Sequence, residues 1–220
     1  MNTVSHKTLK LTLRSQLIGM ATIDPRYWVC VEALNYAEGV HTGERKGGAP
    51  EFYHMLSILG SLMDKHHSLT NPFLIYAAAL LHDSYEDYPD LEAEIRSIFP
   101  EVFPYILRLS KVRNGVKIPY DKYFDEIARC PVCSIVKGED RVHNLSSMIK
   151  PFAFNKQKSY IKEVDEHFLK MLKIARRLFP RQDRAYHAIK SELNLLAITI
   201  TDCYEVAEFK IANPTENGFE

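Results

Sequence analysis

The amino-acid sequence predicts an all-α fold arranged as one compact domain. Three observations carry that expectation. A capping residue followed by proline, the usual opening of a helix, occurs at Asp24-Pro25 and again at Asn71-Pro72. Apolar residues recur at three- and four-residue spacing over most of the chain. The 220 residues are enough for one sizeable core and short for two, and they contain no repeat, low-complexity segment or interdomain linker. On this reading residues 1–25 are an N-terminal extension packed on the domain. Residues 26–200 form the domain itself, and 201–220 are a mobile tail.

Taken in order, the first helix follows Asp24-Pro25 and places Trp28, Val31, Leu34 and Ala37 on one stripe, stopping near Gly39 to Gly43. Pro50 starts a second helix that carries Phe52, Met55, Leu56, Leu59 and Leu62. Asn71-Pro72 opens a third, Phe73 to Asp87, which is apolar nearly all round until His82 and is therefore expected at the centre of the fold. Pro89-Asp90 begins a short helix ending before Pro100, and another runs from Glu101 to about Ser110. Lys111 to Pro119 reads as a loop. Tyr120 to Arg129 and Pro131 to Lys150 read as two further helices. Gln157 to Phe179 is a long amphipathic helix with Ile161, Val164, Phe168, Leu172 and Ala175 inward. Arg181 to Leu196 is the last helix, and the β-branched segment Leu195 to Thr201 is a candidate short strand.

Composition excludes several classes. Lys plus Arg equals Asp plus Glu at 28 each, so the chain as a whole does not steer toward nucleic acid or an anionic membrane. No partner of either kind is expected, and any anionic ligand must be met by a local basic cluster. No run of 18 apolar residues occurs and no signal-peptide core follows Met1, so the expected location is cytoplasmic. Four cysteines are too few for a disulfide scaffold. Cys130-Pro131-Val132-Cys133 has CxxC spacing without a second CxxC or a thioredoxin-like strand pattern, and reads as a semi-buried pair of thiols rather than half a zinc site or a redox pair.

The densest polar feature lies at the end of the most buried helix, in His82-Asp83-Ser84-Tyr85-Glu86-Asp87. Burying such charge costs several kcal/mol per group unless it is paired or bound to metal. On a helix Glu86 is four residues from His82 and three from Asp83, so an adjacent His-Asp pair would reach one ion with two carboxylates a turn beyond it. A metal beside carboxylates is what activation of a water requires. The competing reading is a helix terminus with solvated acids; the apolar run before the cluster weighs against it. Asp140, Asn144 and Ser147 share a face, and His54 sits among apolar residues, but neither feature identifies a ligand by itself.

Three segments together resemble the hydrolase domain of the RelA/SpoT family, within the HD-domain phosphohydrolases. Ala37-Glu38-Gly39-Val40-His41-Thr42-Gly43-Glu44-Arg45-Lys46, followed by His54, is similar to that family's opening motif. His82-Asp83 with Glu86-Asp87 is similar to its HDxxED motif, and Val136 to Arg141 with His143-Asn144 to its third. The resemblance covers about Trp28 to Phe179. It implies a helical HD-domain fold, with His54, His82, Asp83 and Asp140 as metal ligands and manganese as the metal. The nitrogen–oxygen donor set alone also admits zinc or iron. It implies Glu86 and Asp87 as the acids that position and activate water. It places Arg45, Lys46 and Asn144 around the nucleoside and Lys117 at a phosphate. The implied activity is removal of the 3′-pyrophosphate of the alarmone ppGpp or pppGpp, giving GDP or GTP plus pyrophosphate, in a hydrolase-only member. The alternatives are an HD phosphohydrolase of another nucleotide and a non-catalytic nucleotide- or partner-binding protein. Arg45, Lys46, Lys111, Arg113, Lys117, Lys137 and Arg141 could supply the basic cluster that a polyanionic substrate needs. The sequence departs from the family pattern at Glu51, at Met55, where proline is usual, and at Gly138-Glu139, which replace Leu-Ala.

Overall fold

The structure is a computed structural model that describes residues 5–149 and 151–212, with side chains followed to Val206. It is all-α apart from one small hairpin. Helix α1 (His6–Ile23) is capped by Ser5, whose Oγ accepts the Thr8 N–H at 3.2 Å, and turns Leu13, Leu17 and Ala21 into the core. The spacing of four between those residues gives α1 its buried face. Asp24 caps the turn that follows by accepting the Arg26 N–H at 3.1 Å. Helix α2 (Trp28–Val40) begins three residues past the expected Pro25, which opens a 3-10 turn instead, and helix α3 (Glu51–Asp64) begins one residue past Pro50.

Helix α4 (Pro72–Leu81) is the centre of the fold. Every residue from Ile75 to Leu81 is buried, and α2 and α3 pack against it. Two details differ from the sequence expectation. Asn71 does not cap with its side chain; it adopts a left-handed conformation at φ 51°, which asparagine tolerates, and its carbonyl accepts the Leu74 and Ile75 N–H groups. The helix also does not run to Asp87. It breaks at His82-Asp83 and resumes as the single turn α5 (Ser84–Asp87), bridged by the Asp87 N–H to the Asp83 carbonyl at 2.8 Å.

Helices α6 (Glu92–Ile98) and α7 (Phe103–Leu109) follow. The expected loop from Lys111 to Pro119 contains a hairpin, β1 (Val112–Arg113) paired antiparallel with β2 (Val116–Lys117). Its turn residues Asn114 and Gly115 both have positive φ, 50° and 73°, which an Asn-Gly pair supplies readily. Helix α8 (Tyr120–Ala128) leads to α9 (Pro131–Ser147), the second central helix, which contacts α3, α4, α7 and α8. Cys130 caps α9 through its Sγ, which accepts the Cys133 N–H at 3.4 Å, and both thiols are free and buried.

Helix α10 (Phe154–Glu163) passes through a π-helical turn at Val164–Phe168 into α11 (Leu169–Leu178), with Val164, Phe168, Leu172 and Ala175 buried as the stripe predicts. Helix α12 (Asp183–Ala212) is much longer than the expected Arg181–Leu196. Leu195 to Thr201 is helical and not a strand, because Leu193, Ile200 and Tyr204 bury one helical face. Residues 201–212 continue helix α12, and 213–220 lie outside the described residues.

Gly138 and Glu139 find their reason in how α9 is covered. A Cβ at Gly138 would stand 2.8 Å from Ile189 Cγ2 of α12 and 3.4 Å from Leu172 Cδ2 of α11. The glycine lets these helices approach closely. Glu139, 1% exposed, accepts the Ser61 hydroxyl at 2.7 Å and pairs with Lys65 at 3.0 Å, which also reaches Glu192 of α12 at 2.9 Å. The Gly-Glu pair joins α3, α9 and α12.

Candidate metal centre

The break between α4 and α5 places His82 and Asp83 where α3 and α9 meet α4. His82 Nε2 lies 3.1 Å from Asp83 Oδ2 and 3.7 Å from Asp140 Oδ1. His54 Nε2, from α3, lies 3.2 Å from Asp140 Oδ1 and 3.9 Å from Asp83 Oδ2. His54, His82 and Asp140 are buried and each offers a ligand atom within 4.8 Å of the others. Asp83 is half-exposed and closes the group from the solvent side.

Hydrogen bonds fix which imidazole nitrogen faces the centre. His82 Nδ1 donates to the Ala79 carbonyl at 2.8 Å, leaving Nε2 turned toward the acids. That Nε2 is buried and has no hydrogen-bond partner. His54 Nδ1 lies 2.7 Å from His143 Nδ1. Burial, with His54 and Arg45 close by, pushes the His143 imidazole down to about 3, so it is neutral. A neutral imidazole can accept the His54 Nδ1 proton, the tautomer that a metal ion at His54 Nε2 would require. Such partners orient histidine ligands in metal sites generally. Two Nε2 atoms and two carboxylates fit a divalent cation of nitrogen–oxygen preference, and an orphaned buried Nε2 is the polar atom such an ion would satisfy.

The acids that would hold a cation hold a proton in its place: burial opposes charge on His82, but Asp83 and Asp140 outweigh it and raise the imidazole to about 10, so an ion would bind there by displacing the Nε2 proton. Burial also opposes charge on Asp140, yet Lys137, His54 and His82 hold its carboxyl well below the ordinary range. Lys137 Nζ donates to Asp140 Oδ2 at 2.8 Å, leaving Oδ1 toward the histidines.

The other sequence-derived residues divide. Arg45 Nη2 donates to Asn144 Oδ1 at 2.7 Å, and Asn144 Nδ2 donates to Asp140 Oδ1 at 2.6 Å, a chain from the basic loop to the acid. Arg45 and Lys46 line a cavity of about 300 Å³ with Tyr53, His143 and Phe152. Lys46 Nζ lies 5.2 Å over the Phe152 ring. Asp87 is raised to about 6 by burial and by the nearby carboxylates of Asp83, Glu86 and Glu51. Glu86 accepts the Lys111 backbone N–H at 2.8 Å and so ties down the hairpin. Lys117 is exposed on β2, and no described side chain bonds to it. Lys111 approaches Lys137 and Arg141 instead; burial, with Lys137 beside it, lowers its pKa. Arg113 is committed to Glu126, and Arg141 to Glu163 between the rings of Tyr160 and Phe168.

His143 falls within the third motif without an expected role; its position three residues past Asp140 on one helical face is the available signal. His41, in the first motif, has no expected role either. His41 is buried, 3.1 Å from Ser84 Oγ and 3.9 Å from Glu51 Oε2, while Glu51 accepts the Tyr88 hydroxyl at 3.1 Å. This accounts for Glu51: it braces the turn that carries Glu86 and Asp87. No helix among the described residues is long and apolar enough to cross a membrane. No protein-family model matches this chain, and no curated protein compared with it matches.

Proposed function

We propose that this chain is a metal-dependent phosphohydrolase of the HD type, acting on ppGpp or pppGpp to release the 3′-pyrophosphate and leave GDP or GTP. The observation that carries the reading is the convergence of His54 Nε2, His82 Nε2, Asp83 Oδ2 and Asp140 Oδ1, with both Nδ1 atoms engaged elsewhere. A divalent cation held by these four groups, manganese by the resemblance, would polarise a phosphoryl oxygen and acidify a water.

The chain's own residues supply the rest. Asp87, with a pKa near 6, suits it to take a proton from the attacking water near neutral pH. Arg45, free to pair with a planar base or ribose once it leaves Asn144, and the aromatic walls Tyr53 and Phe152 suit the 300 Å³ cavity to a nucleoside. Lys111, which lies within the field of Lys137 and Asp140, would add a phosphate contact to the expected Lys117.

Product identification tests the proposal. With manganese present, pyrophosphate should leave ppGpp much faster than orthophosphate leaves GDP, GTP or a nucleoside monophosphate. Intact ppGpp beside hydrolysis of another nucleotide would retain the HD chemistry and remove the alarmone. Tight nucleotide binding without turnover of any would favour a binding protein.

A further inference from the structure

A concavity with basic walls lies away from the metal cluster. It is a cleft of about 680 Å³ between α11 and α12. From Lys170 to Lys190 the sequence holds seven Lys and Arg against one acid, Asp183, in a chain whose net charge is zero. The fold curls this stretch round the cleft, so that Lys170, Lys173, Arg176, Arg177 and Lys190 all line it. Asp183 neutralises Arg176. The other four cations make no ion pair with any described residue. A smaller concavity of about 330 Å³ shares Pro180 and Asp183 with the cleft and adds Arg181 and Arg184.

The floor is different in kind. It is formed by Leu169, Leu172, Pro180 and Tyr186, of which Leu172 and Tyr186 are almost wholly buried. A purely solvated basic face has no such floor. Volumes of several hundred Å³ with an apolar base and a few charged groups at the rim are typical of small-molecule sites. The charge calls for several negative groups on one ligand, and the floor calls for a flat apolar part.

We propose that this cleft is a second ligand site, for a nucleoside polyphosphate, with phosphates on Lys173, Arg177 and Lys190 and the base against Leu169 and Pro180, the floor residues that keep exposed surface. It is separate from the metal centre. Tyr186 reaches Ser134 of α9 at 2.8 Å, and Leu172 and Ile189 press on Gly138, which lies two residues from Asp140 and six from Asn144 and so does not share their face of α9. The assignment stands whether or not the metal centre is catalytic.

The test is photolabelling of the full chain with an azido-substituted ATP, followed by peptide mapping. Label is expected within residues 169–190, with unmodified ATP protecting. Lys173→Glu with Arg177→Glu should lower that label at least ten-fold; both side chains are exposed and unpaired, so folding should be unaffected, as circular dichroism would verify. Lys122→Glu, an equal reversal per site at an exposed position of α8, should leave it unchanged. Label confined to the 45–53 and 143–152 segments, or unchanged in the double variant, overturns the site. Equal protection by inorganic triphosphate overturns the nucleoside part. Displacement by a single-stranded RNA oligonucleotide at concentrations far below those of ATP overturns it in favour of a nucleic-acid surface.

Discussion

Gly138→Ala is the sharpest test of how the fold is held. The added methyl would meet Ile189 Cγ2 at 2.8 Å, well inside van der Waals contact, with Leu172 Cδ2 at 3.4 Å behind it. Overpacking of this kind costs about 1–3 kcal/mol. Against it, alanine is about 1 kcal/mol better than glycine inside a helix. The net expectation is a loss of about 0–2 kcal/mol, or up to about 8 °C in Tm at roughly 2–4 °C per kcal/mol for a chain of this size. The sign should invert once Ile189 is truncated. Ile189→Ala alone should cost about 2–5 kcal/mol through the cavity it leaves. In that background Gly138→Ala loses its clash, fills part of the cavity and keeps the helical gain, so it should stabilise by about 1 kcal/mol or more. Thermal or urea unfolding of the four proteins gives the coupling directly. A Gly138→Ala single variant more stable than the parent by the full 1 kcal/mol of helix propensity would refute the close approach of α9 and α12.

Other perturbations reach the centre and its supports. His143→Phe removes the acceptor that holds the His54 proton on Nδ1 and should weaken manganese or zinc binding about 10–100-fold in a direct titration, with His143→Asn closer to the parent; equal affinity in all three would remove the positioning role. The active form of Asp87 is its carboxylate, and burial raises its pKa to about 6, so kcat/KM should rise with pH up to a midpoint at or below about 6, since a bound cation can only lower it. Asp87→Asn should remove that limb, and a limb that survives belongs to another group. Lys65→Met leaves Glu139 buried beside Ser61 without its cation and should cost about 3–5 kcal/mol of stability, most of it regained when Glu139→Leu is added; a loss below the range of exposed ion pairs, about 1 kcal/mol, would show that Glu139 is solvated.

The helical class, the buried α4 and the amphipathic stripe through α11 were legible because each is a periodic property of local sequence. The failures have physical causes. The hairpin at Val112–Lys117 has strands two residues long, too short for alternation to register, and its one clue was Asn114-Gly115. Leu195 to Thr201 is β-branched, but spacings of seven and four between Leu193, Ile200 and Tyr204 bury a helical face, and packing overrides propensity. The break at His82-Asp83 is invisible to periodicity because both residues keep near-helical backbone angles while the hydrogen-bond ladder is interrupted. At the centre, residue types announced His82 and Asp83. Their meeting with His54 and Asp140, 28 and 58 residues away from His82, depends on how α3 and α9 pack on α4. The link from His143 to His54 and the engagement of Glu86 by Lys111 are tertiary facts with no local signature.

The central claim is that His54, His82, Asp83 and Asp140 hold a divalent cation. The most direct measurement is anomalous diffraction at the manganese, iron and zinc edges on crystals of protein supplied with all three metals. A single peak should lie between His54 Nε2, His82 Nε2 and the two carboxylates, about 2.0–2.2 Å from each donor for zinc, with similar distances for the others, and it should vanish in Asp140→Ala. A featureless centre in protein supplied with all three metals, or a peak that persists unchanged in Asp140→Ala, would contradict the account.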